Sequence, residues 1–125
     1  MTPVLSPHAV FAYGTLMDAP CRQAVLGHDL ETIPAALVGY RKCGGKWPYI
    51  LPDQDDAVTG VVLNTLYADD LAKLDVYEDL SDQPGQGLYE RVKLDVQLEF
   101  GHTASTWVYR PLLQNWHPSW LGEPQ

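Results

Sequence analysis

Basic residues are scarce in this chain: eight lysines and arginines stand against sixteen aspartates and glutamates in 125 residues, a net charge of −8. A surface of that sign repels a phosphate backbone or an anionic membrane, so neither nucleic acid nor membrane is an expected partner. Cysteine is almost missing. Cys21 and Cys43 close one bridge at most and stand in no CxxC or other metal spacing, so reduced, buried thiols are expected. His8, His28, His102 and His117 are scattered, with no HExxH and no pair four residues apart, which gives no metal site. No cofactor is expected. Long apolar runs are also lacking, since no window reaches the roughly 18 residues that cross a bilayer. The opening MTPVLSPHAV has no basic start and places Pro3 and Pro7 where a secretory leader needs an unbroken apolar stretch. These absences predict a cytoplasmic protein. The length predicts one domain, residues 1–125, without repeats or linkers.

What is present reads as many short strands with two helices. AVFAY is a buried strand, followed by the turn GTLM and then DAPCRQAVLG, where Asp18 can cap a helix, Pro20 lies in its first turn and Gly27 can stop it. AALVGYRKC and YILP read as strands separated by GGKWP, and AVTGVVLNTL as another with Gly60 as a bulge. In YERVKLDVQLEF, Val92, Leu94, Val96, Leu98 and Phe100 alternate with polar residues, giving a strand with a core face. TASTWVYR returns after Gly101 as the second arm of a hairpin, with Trp107 and Tyr109 on a shared face. The tail PLLQNWHPSWLGEPQ carries two of the four tryptophans, Trp116 and Trp120, and is expected to cover an apolar surface or sheet edge, or else to form a dimer contact. The pattern implies an α+β fold built on a small barrel.

One carboxylate stands in an unexpected place. YADDLAKLDVYED reads as a helix starting near Asp69 or Asp70, and at 100° per residue Tyr67, Leu71 and Leu74 form its core stripe. Glu78 falls between Leu71 and Leu74 in that arc. The bland alternative is a frayed last turn that lets Glu78 reach water, Arg91 or Arg110. In an apolar cleft, desolvation raises a carboxyl above its ordinary value and suits it to accept a proton at neutral pH. The turn after the first strand offers a counterpart. Gly14 permits close approach to the main chain, and the N–H groups of Gly14, Thr15 and Leu16 are able to form a concavity for a carboxylate or a developing oxyanion.

FAYGTLM, GGKWPYI, VTGVVLNTL, LDVYED, LYERVKLDV and WVYR together occur in the order and spacing of the γ-glutamylcyclotransferase-like superfamily. From Val10 to Tyr109 the chain resembles its AIG2-like branch, which includes γ-glutamylamine cyclotransferase. The resemblance implies a small mixed β-barrel with short helices and a cavity where the Tyr13–Leu16 main chain holds a substrate α-carboxylate. It assigns the acid/base role to Glu78, and it places Tyr89, Tyr109 and Tyr49 in or near the cavity. Asp79, where many members have glycine, and the SDQPGQG insertion depart from the pattern. The implied reaction is attack of a γ-glutamyl α-amine on its own γ-carbonyl, giving 5-oxoproline and a free amine. The implied partner is therefore a small γ-glutamyl substrate, on a monomer or weak homodimer, in a transferase or lyase. Two other readings stay open: a non-catalytic binding domain for an amino-acid-like ligand, and a thiol enzyme using Cys43.

Overall fold

The computed structural model describes residues 5–44, 47–64, 66–80 and 86–121, with only the backbone of Phe100. The expected core side chain of Phe100, Thr65, the second glycine and the lysine of GGKWP, and residues 81–85 of SDQPGQG lie outside the described residues. Strands β1 (Val10–Ala12), β2 (Thr32–Cys43), β3 (Tyr49–Leu63), β4 (Tyr89–Leu98) and β5 (Thr103–Pro111) close into a barrel in the order β1-β3-β2-β4-β5. β1 runs antiparallel to β3, with Phe11 opposite Val62, and parallel to β5, with Phe11 opposite Val108. The sheet is therefore mixed, as expected.

Side-chain alternation divides the apolar residues into two layers. Phe11, Val58, Val62, Val96 and Val108 pack with each other and with no helical residue, which places them inside the barrel. Their neighbours Val10, Leu63 and Tyr109 pack outward against Leu26 of helix α1 (Ala19–Leu26) and Leu71 and Leu74 of helix α2 (Ala68–Tyr77). Both faces of β1 are consequently buried, and its sequence is continuously apolar.

Helix α1 forms as its sequence predicts. Asp18 accepts from the Cys21 N–H at 3.2 Å, and Gly27 closes the helix at φ 84°, its N–H donating to the Gln23 carbonyl.

Three expectations need correction. YILP and AVTGVVLNTL belong to one strand, β3, because the intervening polar residues stay extended, mostly exposed, between two stretches that both pair with β2. The bulge lies at Gly39, φ 90°, opposite residues 53–56, where the pairing passes from Val38↔Ala57 to Tyr40↔Pro52. Gly60 is instead a close-approach position: a Cβ there would stand 2.3 Å from the Ala12 carbonyl and 2.7 Å from Phe11 Cζ. Tyr67 is not in the core stripe but 74% exposed. As the residue before α2 it has extended dihedrals, so the helical wheel does not apply to it. Asp70 reaches back to its N–H at 3.0 Å.

The tail covers apolar surface. Trp116 is buried, its ring edge-on to Tyr49, Tyr89 and Trp47, and its indole N–H donates to the Leu88 carbonyl at 2.8 Å.

Candidate active site

Helix α2 ends at Tyr77, yet the Glu78 N–H still donates to the Leu74 carbonyl at 2.9 Å. That bond keeps Glu78 in helical register, so its side chain follows the core stripe it shares with Leu71 and Leu74. Asp79 then takes φ 55°, a left-handed conformation comfortable for glycine and tolerated by aspartate, and turns the chain away. Glu78 is left partly buried, facing a cavity of about 280 Å³. Among the described residues its carboxylate has no hydrogen-bond or salt-bridge partner. Arg91 pairs with Asp75 and Arg110 with Glu90, so neither arginine is engaged with Glu78. Loss of hydration pushes its carboxyl up to about 7.

The turn expected opposite this acid lines the same cavity, through Tyr13, Gly14, Thr15 and Leu16. Thr15–Met17 form a single 3-10 turn, whose first internal bond is the Met17 N–H to the Gly14 carbonyl at 3.0 Å. The N–H groups of Gly14, Thr15 and Leu16 precede that bond. Sequence reasoning did not single out Arg22, which is buried and donates from Nη1 to the Met17 carbonyl at 2.7 Å and the Leu16 carbonyl at 3.2 Å. It ties down the carbonyl side of the turn. Its position four residues before Leu26, on the apolar side of α1, is the signal that would have found it.

Tyrosines surround Glu78. The negative charge of Glu78 contributes to raising the pKa of Tyr13, Tyr77, Tyr89 and Tyr109; burial is the larger cause for all but Tyr77, where the hydrogen bond with Cys21 leads. Each hydroxyl has a partner: Tyr13 donates to the Tyr109 carbonyl at 2.6 Å, Tyr89 to the Pro48 carbonyl at 2.9 Å, and Tyr109 to Asp75 Oδ1 at 2.7 Å. Tyr77, missed in the sequence reading, shares a 2.7 Å hydrogen bond with Thr15 Oγ1 and so joins α2 to the turn. Asp75, within the same LDVYE run, also lies 2.9 Å from Arg91 Nε and accepts from Arg91 Nη2 at 3.2 Å. Three elements are thereby fastened together beneath Glu78.

Two sequence expectations fall outside this cluster. Tyr49 does not line the cavity; it is buried under the tail, with its hydroxyl donating to the Leu121 carbonyl at 2.8 Å. Trp47 and Pro48, just before it, reach the cavity instead. Cys43 is buried in the layer beneath the helices and does not line the cavity, so the thiol reading has no support. Cys21 is only partly buried, contrary to expectation, with Sγ 3.5 Å from the Tyr77 hydroxyl.

A closed mixed barrel carries a cavity in which the partly buried carboxylate of Glu78 stands on the same lining as a glycine turn. The chain belongs to the family described as γ-glutamyl cyclotransferase, AIG2-like, which it matches over residues 10–120. That match takes in most of the tryptophan-bearing tail, beyond the Val10–Tyr109 span legible as motifs. AIG2-like protein D of Arabidopsis thaliana is 32% identical over 101 residues, covering 78% of this chain and 62% of that protein. The chain thus spans less than two thirds of that relative's length. An Arabidopsis thaliana protein solved in solution superposes with a TM-score of 0.76 at 28% identity, over 93% of this chain and 75% of the other. A solved γ-glutamyl cyclotransferase superposes at 0.74 over 83% of this chain and 66% of its own, at 18% identity, a likeness of fold. No helix among the described residues is long and apolar enough to cross a membrane.

Proposed function

We propose that the protein is a γ-glutamyl cyclotransferase-type enzyme releasing 5-oxoproline and an amine, with Glu78 as general acid and base. The observation that carries this reading is a partly buried carboxylate with no partner among the described residues, facing a cavity shared with the Gly14–Leu16 turn. Family membership supports this reaction class.

A γ-glutamyl compound contains its own nucleophile. The turn N–H groups hold the α-carboxylate, and Tyr13, Tyr89 and Tyr109 supply the lining that keeps the chain curled. Glu78, ionised at and above a pH of about 7, takes a proton from the α-ammonium, whose pKa is about 8 on the peptide scale. The freed amine attacks the γ-carbonyl carbon. A ring C–N bond forms, the original γ-amide C–N bond breaks, and two protons pass from the attacking nitrogen to the departing one, Glu78 relaying them. No water is consumed. Holding the nucleophile against the carbonyl contributes the proximity advantage, which reaches effective molarities of about 10⁵ M in well-oriented intramolecular reactions.

The test is incubation with a panel of γ-glutamyl amides and peptides, with 5-oxoproline followed by mass spectrometry. Product formed by the wild type and lost in a folded Glu78→Gln variant supports the assignment. Thermal stabilisation by the same compounds without product from any of them indicates a binding domain and refutes the catalytic reading.

A further inference from the structure

One part of the cavity wall is built by residues that the cyclisation chemistry does not require. Trp47, Pro48 and Leu88 line it, all partly exposed and so at its mouth, whereas Phe11, Ala12 and Tyr109 are buried in its floor. Pro48 closes over the turn: a Cβ on Gly14 would meet Pro48 Cγ at 3.5 Å.

The C-terminal tail holds this wall from behind. Trp47 meets Trp116 edge-on at 5.7 Å and Trp120 at 5.2 Å between ring centroids. Trp116 and the backbone of Leu112 both donate to the Leu88 carbonyl, at 2.8 Å each, and Asn115 Nδ2 donates to the Gly87 carbonyl at 2.6 Å. One short segment therefore braces both the Trp47 and the Leu88 sides. The ring contacts restrict the Trp47 side chain and the hydrogen bonds fix the main chain at Gly87 and Leu88 before any ligand arrives, so a group entering between them meets a preformed apolar surface.

The charged side chains among the described lining residues have one sign. Glu78 and Asp79 line the cavity, and no lysine, arginine or histidine is among its described lining residues. A leaving group bearing its own carboxylate, as an amino acid or dipeptide does, would come to rest near two carboxylates with no described cation to offset them.

We propose that this tail-braced wall is the leaving-group subsite and that it selects neutral amines with an aromatic or branched apolar body over leaving groups that carry a carboxylate. The proposal rests on the cyclotransferase reading of the same cavity. A curled γ-glutamyl unit anchored at the turn occupies the floor, and the substituent on its γ-nitrogen extends to the mouth between Trp47 and Leu88. Trp116 and Trp120 act through Trp47 and are positioning residues.

The test compares three probes of similar amide reactivity: γ-glutamylbenzylamide, γ-glutamylmethylamide and γ-glutamylglycine. The expected kcat/KM for the benzylamide exceeds those of the other two about tenfold or more, in line with the discrimination apolar pockets achieve. Trp47→Ala should collapse the benzyl-to-methyl ratio towards one, and Trp47→Phe should restore most of it. Trp120→Ala, which removes one brace and leaves the wall in place, should lower the ratio in part, chiefly through KM. Equal rates on all three probes, or a preference for γ-glutamylglycine, overturn the subsite while leaving the reaction intact. Absence of product from every probe refutes the reaction instead. The subsite is then read by calorimetric binding of the same probes: benzylamide binding that is tighter than methylamide and weakened by Trp47→Ala upholds it, and equal or undetectable binding overturns it.

Discussion

The Tyr109 hydroxyl donates to Asp75 Oδ1 at 2.7 Å, tying β5 to α2 three residues before Glu78. Arg91 of β4 holds the other side of the same carboxylate, and its guanidinium lies 4.3 Å from the ring centroid of Trp107. This arrangement gives the end of α2 a fixed height above the barrel, and the acid at position 78 inherits that height.

Removing Asp75 therefore strips two groups at once. Asp75→Ala leaves the Tyr109 hydroxyl without its acceptor and the Arg91 guanidinium, whose side chain is 22% exposed, without its carboxylate. The expected loss is about 2–4 kcal/mol in urea denaturation. Tyr109→Phe, which removes one neutral donor, should cost only about 1 kcal/mol. Turnover of the remaining folded Asp75→Ala protein should also fall, because Glu78 loses its tie to the sheet.

Glu78 has an unfavourable effect on stability whose size depends on pH. Its carboxyl titrates near 7 in the folded protein and at an ordinary 4.5 unfolded, so the native chain binds the proton more tightly between those values. Stability therefore falls as pH rises through that interval, and the full penalty, on the order of a few kcal/mol, applies above it. Glu78→Gln should raise the melting temperature by several degrees at pH 8. The gain should vanish at about pH 4, where both forms are neutral. An equal gain at both pH values would contradict a desolvated carboxylate.

The same ionisation should appear in the kinetics. With Glu78 as the proton acceptor, kcat/KM for a good γ-glutamyl amide should climb tenfold per pH unit below about 7 and level off above it. An acidic limb near 4.5 would indicate a solvated carboxylate.

Gly60→Ala tests the close approach of β3 to its neighbour β1. The added methyl would stand 2.3 Å from a backbone carbonyl and 2.7 Å from the Phe11 ring, and the carbonyl cannot rotate away without breaking the β1 ladder. A destabilisation of more than about 2 kcal/mol is expected, seen as loss of soluble protein or a lowered urea midpoint.

Arg22 offers a test of the turn from behind. Arg22→Met preserves the apolar stem and removes both hydrogen bonds to the Leu16 and Met17 carbonyls. KM for γ-glutamyl amides should rise several-fold while the Glu78-dependent pH profile stays in place, since the carboxylate grip loosens and the base does not move.

Local pattern alone was enough for α1, with its Asp18 cap and Gly27 stop, for the β4–β5 hairpin, and for the inward turn of Glu78. Each is governed by periodicity or by backbone preference within a few residues, and the bond from the Glu78 N–H to the Leu74 carbonyl preserves the helical spacing that revealed it. Tyr67 escaped because a wheel assumes helical dihedrals that the residue before a helix does not have. Gly60 and Gly39 look alike in a strand, and only the packing of Phe11 and Ala12 on one and the φ of 90° at the other separate them.

The sequence by itself determined the alternation that builds two-sided strands, the helix caps, the lone acid on an apolar stripe and the family motifs that give that acid a chemistry. Tertiary structure alone decided that Asp75, Arg91 and Tyr109 meet, that Arg22 grips the turn, and that Trp47 rather than Tyr49 reaches the cavity while Trp116 stands behind it. Those contacts join residues far apart in the chain, and their partners are chosen by barrel closure and register, which no local spacing encodes.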